Sequence, residues 1–430
     1  MLERYFELRA HGTTVKTEVL AGLTTFLTMA YIIFVNPDIL SAAGMPKDAV
    51  FVATCLAAAV GSAIMGLYAN YPIALAPGMG LNAYFAFAVV GGMGFTWQQA
   101  LGAVFISGCL LLVVSLLQLR EWIVNATPRS LKFAISAGIG LFLAIIGLKS
   151  AGLIAAHPAT LVTLGDIHAP GALLAAAGFL LIVALEQCKV PGAIIIGILA
   201  VTAASVLLGI NKLGGVVAAP PSLAPTWFAL DLGGALDQSL LAVILTFFLV
   251  ELFDASGALI GVAHRADLLD KNGELPRLKR ALLADPVASV AGACLGTSSA
   301  TAFIESAAGT SVGGRTGLTA VVVALLFLAA LMFAPLAASV PAYATAPALC
   351  YVGVLMIRGL AEIDWNDLTE TAPAVITAIA MPFTFSIANG IAFGFVSYVA
   401  IKLLAGRRRE LSPMVSIIAV VFVLKFAYLG

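Results

Sequence analysis

The sequence predicts an all-α integral membrane protein of about 14 transmembrane spans, folded as two inverted repeats of seven. Three observations carry that expectation. Of the 430 residues, 61% are hydrophobic and 10% charged, whereas soluble domains run near 25% charged. Apolar runs of about 20 residues recur from end to end, each long enough to cross a hydrocarbon core of roughly 30 Å. The cations are also distributed unevenly. With the N-terminus in the cytoplasm and the chain alternating, all but Lys47, Lys149, Lys212 and Lys425 of the 22 Lys and Arg residues fall on the cytoplasmic side, the bias that sets topology.

By hydropathy the spans lie at 18–36, 49–69, 73–90, 97–117, 131–149, 170–187, 191–209, 238–261, 281–295, 299–311, 316–334, 342–358, 371–386 and 389–405. The stretch 411–428 is apolar too, and the sequence leaves open whether it crosses. Two pairs of segments disclose the repeat. Residues 170–209 and 371–405 each read as two spans split by a tight turn, with Gly192 and Gly390 in comparable places. The third span, PIALAPGMGLNAYFAF, and the tenth, GTSSATAFIESAAGTSVGG, are both short and crowded with small residues and breakers. Paired interrupted segments mark a transport site, because irregular backbone at bilayer depth is tolerated only where it lines a cavity. An odd number of spans per half turns one half over relative to the other.

Glu251 and Asp254 sit inside the apolar stretch LAVILTFFLVELFDASGALIGVA, and Glu305 lies in span 10. A carboxylate at bilayer depth is costly and is a functional-site hypothesis by default. Three residues apart, Glu251 and Asp254 share a helix face. Glu251 is expected to accept hydrogen bonds from N–H groups of a flat, neutral heterocycle, with Asp254 tuning the site or relaying a proton. No basic residue in the apolar spans is read as a salt-bridge partner; the alternative is a pair of acids satisfied by Ser, Thr or backbone groups. Glu305 is expected at the start of a half-helix, where the dipole favours an anion. Asn82 offers donor and acceptor to a base edge, or simply caps a helix. Thr24, Thr25 and Thr28 are candidates to face the same cavity. So are Phe85, Phe253, Phe303 and Ile304, though ordinary packing competes for the aromatics.

Other chemistry is excluded. The five cysteines are scattered through apolar segments without a C-x-x-C pair, so neither a disulfide framework nor a zinc site is read. Gly78-x-Gly80-x-x-Ala83 lacks the strand–helix unit of a dinucleotide fold, and no cofactor is expected. The four histidines lie in loops or at span ends, leaving an intramembrane enzyme without a constellation. Zero formal net charge gives no nucleic-acid footprint.

The strings GLTTFLTMAYIIFVNP, APGMGLNAYFAF, FFLVELFDASGALIGVA, SSATAFIESAAGTSVGGRTGL and ANGIAFGFVSYVAIKLL resemble the AzgA-like purine permeases, a branch of the nucleobase–ascorbate (xanthine/uracil permease) superfamily. The resemblance spans the chain up to residue 405. It implies a core domain (18–117 and 238–334) and a gate domain (131–209 and 342–405), with 411–428 as an extra segment. Spans 3 and 10 would each carry a short strand and a half-helix meeting near the midplane. It further implies proton-coupled uptake of adenine, guanine or hypoxanthine across a plasma membrane of the bacterial inner-membrane type. Glu251, Glu305 and Asn82 would be the substrate residues, with Asp254 and Glu251 coupling the proton. A homodimer through the gate domain is compatible with the superfamily. Glu251 departs from the branch, where Asp is the commoner acid. Two rival readings share the architecture: an anion exchanger of the sulfate or bicarbonate type, which would want a cationic site, and a pyrimidine or uracil carrier, which pocket size would decide.

Overall fold

The computed structural model describes residues 2–265, 268 and 276–428; Lys271, counted above among the cytoplasmic cations, lies outside them. Among the described residues the expected segments follow in order. Span 1 (Val15–Ser41) and span 2 (Lys47–Ala69) precede span 3, which is a strand β1 (Leu75–Pro77) followed by a helix (Met79–Val90). Span 4 (Trp97–Leu116) leads through a linker helix (Leu119–Ala126) into span 5 (Arg129–Ser150). An exposed hairpin of β2 (Ile154–His157) and β3 (Leu161–Leu164) then precedes span 6 (Pro170–Gln187) and span 7 (Ala193–Leu207). The second half runs through span 8 (Gln238–Arg265) and span 9 (Leu278–Leu295) to span 10, a strand β4 (Ala300–Ala302) with a short helix (Ser306–Ser311). Span 11 (Gly317–Ser339), span 12 (Ala342–Glu362), span 13 (Leu368–Phe383) and span 14 (Ile387–Leu404) complete it. Eight of these are long and apolar enough to cross a membrane, and the protein is a multi-pass membrane protein.

The packing separates two bundles. Spans 1, 2, 4, 8, 9 and 11 pack around spans 3 and 10, while spans 5, 6, 7, 12, 13 and 14 pack on one another. Small residues permit the closest approaches, as expected where lipid supplies no hydrophobic drive between helices. Spans 5 and 12 meet glycine to glycine: a Cβ on Gly140 would lie 2.8 Å from the Gly353 carbonyl oxygen, and one on Gly353 2.6 Å from that of Gly140.

Two expectations are refined. Gly192 does stand at the turn between spans 6 and 7, with φ +77°, but Gly390 lies inside span 14, where Met381 and the Thr377 carbonyl crowd its α-carbon. The span 13–14 turn is made instead by Phe385, at φ 52°, with Ser386 capping span 14 by accepting from the Asn389 N–H. The stretch after residue 411 forms a helix (Pro413–Tyr428) that buries Val415, Ile418, Ala419 and Phe422 against span 14 and the linker helix.

Candidate functional site

The site is built where the two repeats cross. β1 and β4 pair antiparallel with Leu75 opposite Ala302, Ala76 opposite Thr301 and Pro77 opposite Ala300. The ladder extends symmetrically: the Gly78 N–H donates to the Ser299 carbonyl at 2.9 Å, and the Phe303 N–H to the Ala74 carbonyl at 3.0 Å. One serine from each repeat anchors its own strand. Ser62 of span 2 accepts from the Leu75 N–H at 3.0 Å and donates to the Leu75 carbonyl at 3.0 Å. Ser289 of span 9 accepts from the Ala300 N–H at 3.0 Å and faces the Ala300 carbonyl at 2.9 Å. Partners of this kind are what irregular backbone needs at bilayer depth, where no water is present to satisfy it.

The symmetry breaks at Glu251. Its Oε1 lies in hydrogen-bond contact with Ser289 Oγ, Ser299 is a neighbour, and Oε2 has no hydrogen-bond partner among the described residues. The side chain is fully buried. Ser289 carries one hydroxyl proton and faces two acceptors, Glu251 and the Ala300 carbonyl. A charged Glu251 takes that proton; a protonated Glu251 can donate to Ser289 and release the hydroxyl to Ala300. The pair therefore accommodates Glu251 in either protonation state without moving a heavy atom.

The remaining carboxylates surround the same crossing. Asp254, one turn along span 8, is partly exposed and interacts electrostatically with Asp285 and Glu305. Glu305 stands at the N-terminus of helix 306–311, partly exposed, and accepts from the Tyr31 hydroxyl at 2.6 Å. Tyr31 occupies the break in span 1 between helices 15–29 and 32–41. On span 3, Asn82 is fully buried. Its Nδ2 donates to Asn36 Oδ1 at 2.5 Å, and Asn36 in turn donates to Thr54 and Thr297 at 2.7 and 2.9 Å. Asn82 Oδ1 is left without a hydrogen-bond partner among the described residues. Its polar network reaches across four segments rather than capping a helix.

The cavity-lining candidates divide. Thr25 is buried, its Oγ1 without a hydrogen-bond partner among the described residues, and packs against Gly309 of span 10. Thr24 donates back to the Leu20 carbonyl, and Thr28 to those of Thr24 and Thr25. Phe85, Phe253 and Phe303 are buried, and Ile304 is 43% exposed. Phe253 stacks on Phe395 of span 14 at 6.3 Å between ring centres, a contact between the bundles.

Arg120, assigned by hydropathy to a cytoplasmic loop, is instead buried and ion-paired at 3.1 Å with Asp285 of span 9, not with Glu251 or Asp254. It was missed because it follows the last apolar residue of span 4, where a cation normally reaches water. Asp285 had its own signal, an acid inside LLADPVASVAG. Asn36, Tyr31, Ser62 and Ser289 gave none, since such residues are ordinary in helices of this kind.

Similarity to known proteins follows this layout. A family model described as the permease family matches residues 16–393. The chain is 52% identical over 429 residues to the adenine permease AdeP of Escherichia coli, covering 100% of this chain and 96% of that one. It is 45% identical over 426 residues to the guanine/hypoxanthine permease PbuO of Bacillus subtilis, covering 97% and 98%. Among solved structures, the transmembrane domain of the cyanobacterial bicarbonate transporter BicA superposes with a TM-score of 0.64 at 18% identity, over 90% of this chain and 97% of that one.

Proposed function

Because the chain belongs to the permease family, we propose that it is a proton-coupled symporter importing a purine nucleobase, namely adenine, guanine or hypoxanthine. The observation that carries this reading is the pair of carboxylates, Glu251 and Glu305, brought to one strand crossing from different segments, with one oxygen of Glu251 buried and without a hydrogen-bond partner among the described residues. Relatives that align over nearly the whole chain are adenine permeases and guanine/hypoxanthine permeases, which supports the substrate class.

In this reading Glu251 and Glu305 accept from the N–H groups of the base, and the Asn82 Oδ1 adds an acceptor. A proton taken up from outside removes the charge that makes a carboxylate costly in the bilayer, so the loaded site can turn inward. Release of that proton to the cytoplasm drives net uptake. Spans 1–4 and 8–11 act as the moving core and spans 5–7 and 12–14 as the gate, in a plasma membrane with the N-terminus inside. The acids at the crossing argue against an anion exchanger on the same fold.

The test is uptake of radiolabelled adenine, guanine, hypoxanthine and uracil by cells expressing the protein, with and without a protonophore. Protonophore-sensitive uptake of one or more purines is expected, and Glu251→Gln is expected to abolish it. Near wild-type, proton-coupled uptake by Glu251→Gln would remove Glu251 from the mechanism.

A further inference from the structure

Arg120 belongs to the linker helix Leu119–Ala126, by which the chain leaves the first bundle after span 4 and enters the second at span 5. Its side chain is nonetheless 1% exposed, inserted between spans 8 and 9. Nε donates to Ser256 Oγ at 3.2 Å, Nη1 to the Leu282 carbonyl at 2.8 Å and Nη2 to Asp285 Oδ2 at 3.1 Å. Ser256 lies five residues beyond Glu251 on span 8. Asp285 lies one helical turn before Ser289 on the same face of span 9, and Ser289 is the residue that touches both Glu251 and β4. A planar guanidinium held by three separate acceptors fixes two helices in both slide and rotation, which an ammonium on a flexible stem does not.

The groups around Glu251 make the cation matter electrically too. They are Asp254 on its own helix, Asp285 on span 9, Arg120 on the linker helix and, beyond Asp254, Glu305 on span 10. Arg120 is the cation among them. A buried ion pair is seldom retained for stability, since apolar residues of the same volume do as well, while removing one partner leaves a bare buried charge.

We propose that Arg120 is a positioning residue for transport: through Ser256 and Asp285 it holds spans 8 and 9 in the register that keeps Ser289 on Glu251, and it ties that register to the linker between the bundles. Movement of one bundle against the other then reaches the site through this side chain as well as through the stack of Phe253 on Phe395. The inference rests on the reading of Glu251 as the substrate carboxylate.

The test compares Arg120→Gln, Arg120→Lys, the double variant Arg120→Gln/Asp285→Asn, and Glu251→Gln in the full-length protein. Thermal stability, binding of radiolabelled adenine from pH 5 to 8, and the KM and Vmax of uptake are read for each. Arg120→Gln is expected to weaken adenine binding at least tenfold and to change its pH profile. Arg120→Lys restores the charge without the fork and recovers only part. The double variant, free of an unpaired Asp285, is expected to regain thermal stability while keeping the binding defect. Arg120→Gln with lowered stability but wild-type binding and pH profile would overturn the proposal, as would a double variant that regains binding along with stability. Undiminished adenine binding by Glu251→Gln would instead sink the reading of Glu251, so the two failures are separable.

Discussion

At residue 251 one carboxylate oxygen is engaged by Ser289, and the other has no hydrogen-bond partner among the described residues. An unpaired buried acceptor costs roughly 1–3 kcal/mol, more when charged, and a ligand N–H placed there recovers that energy. Shortening the acid changes where the acceptor lies but not what it is. Glu251→Asp is therefore expected to keep protonophore-sensitive uptake while reordering the KM values for adenine, guanine and hypoxanthine; an unchanged order would mean the carboxylate does not touch the base. Tyr31 makes a complementary case. Its hydroxyl is the side-chain donor to Glu305, and a hydrogen bond to a charged group contributes about 1.5–3 kcal/mol. Tyr31→Phe is expected to raise the KM of uptake about tenfold or more, and to add little on top of Glu305→Gln. Additive losses in that double variant would separate the two residues. Glu251 and Glu305 are legible in the sequence because acids are rare in apolar runs. Arg120 is not, because hydropathy cannot distinguish a cation that turns back into the bundle from one that reaches water.

At the scale of elements, the two anchoring serines form a matched pair supplied by the pseudo-symmetry of the fold. Ser62 and Ser289 each serve the backbone N–H and carbonyl of the first residue of a strand, but Ser289 alone also touches a carboxylate. Ser62→Ala and Ser289→Ala should each lower stability by about 1–3 kcal/mol through the buried backbone groups left unpaired. Only Ser289→Ala should also weaken purine binding. Equal effects of the two variants on binding, measured alongside thermal unfolding, would assign Ser289 a purely structural task. The contact of spans 1 and 10 is as tight: a Cβ on Gly309 would collide with Thr25 Oγ1 and the Ala21 carbonyl. Overpacking of this kind costs typically 1–3 kcal/mol, so Gly309→Ala should reduce both thermal stability and uptake. Adding Thr25→Ala should restore part of each, and no recovery would place the clash on the Ala21 backbone alone.

For the whole molecule, cation bias predicts topology and can be checked directly. In a background without the native cysteines, Lys212→Cys should react with a membrane-impermeant maleimide from outside and Lys189→Cys only after the membrane is opened; the reverse pattern would invert the orientation. The order of the segments was legible from apolar length, and the location of the interrupted spans from their small residues. The pairing of β1 with β4 came only through family resemblance, because three-residue strands leave no periodicity to read. The span 13–14 turn rests on Phe385 at positive φ, a residue type that gives no turn signal in sequence. The polar link from Asn82 through Asn36 to Thr54 and Thr297 joins residues far apart in the chain, and no local pattern announces such a link.

The crossing of β1 and β4 also bears on how the chain is made. Leu75 emerges from the ribosome long before Ala300, whose strand supplies the backbone partners that β1 needs. At about 5–20 residues per second, the intervening stretch takes roughly 10–45 s to synthesise. Throughout that interval an interrupted span with unsatisfied amides must wait beside the insertion machinery or at its lipid boundary. The pairing of β1 with β4 thus completes only after the second half has been made.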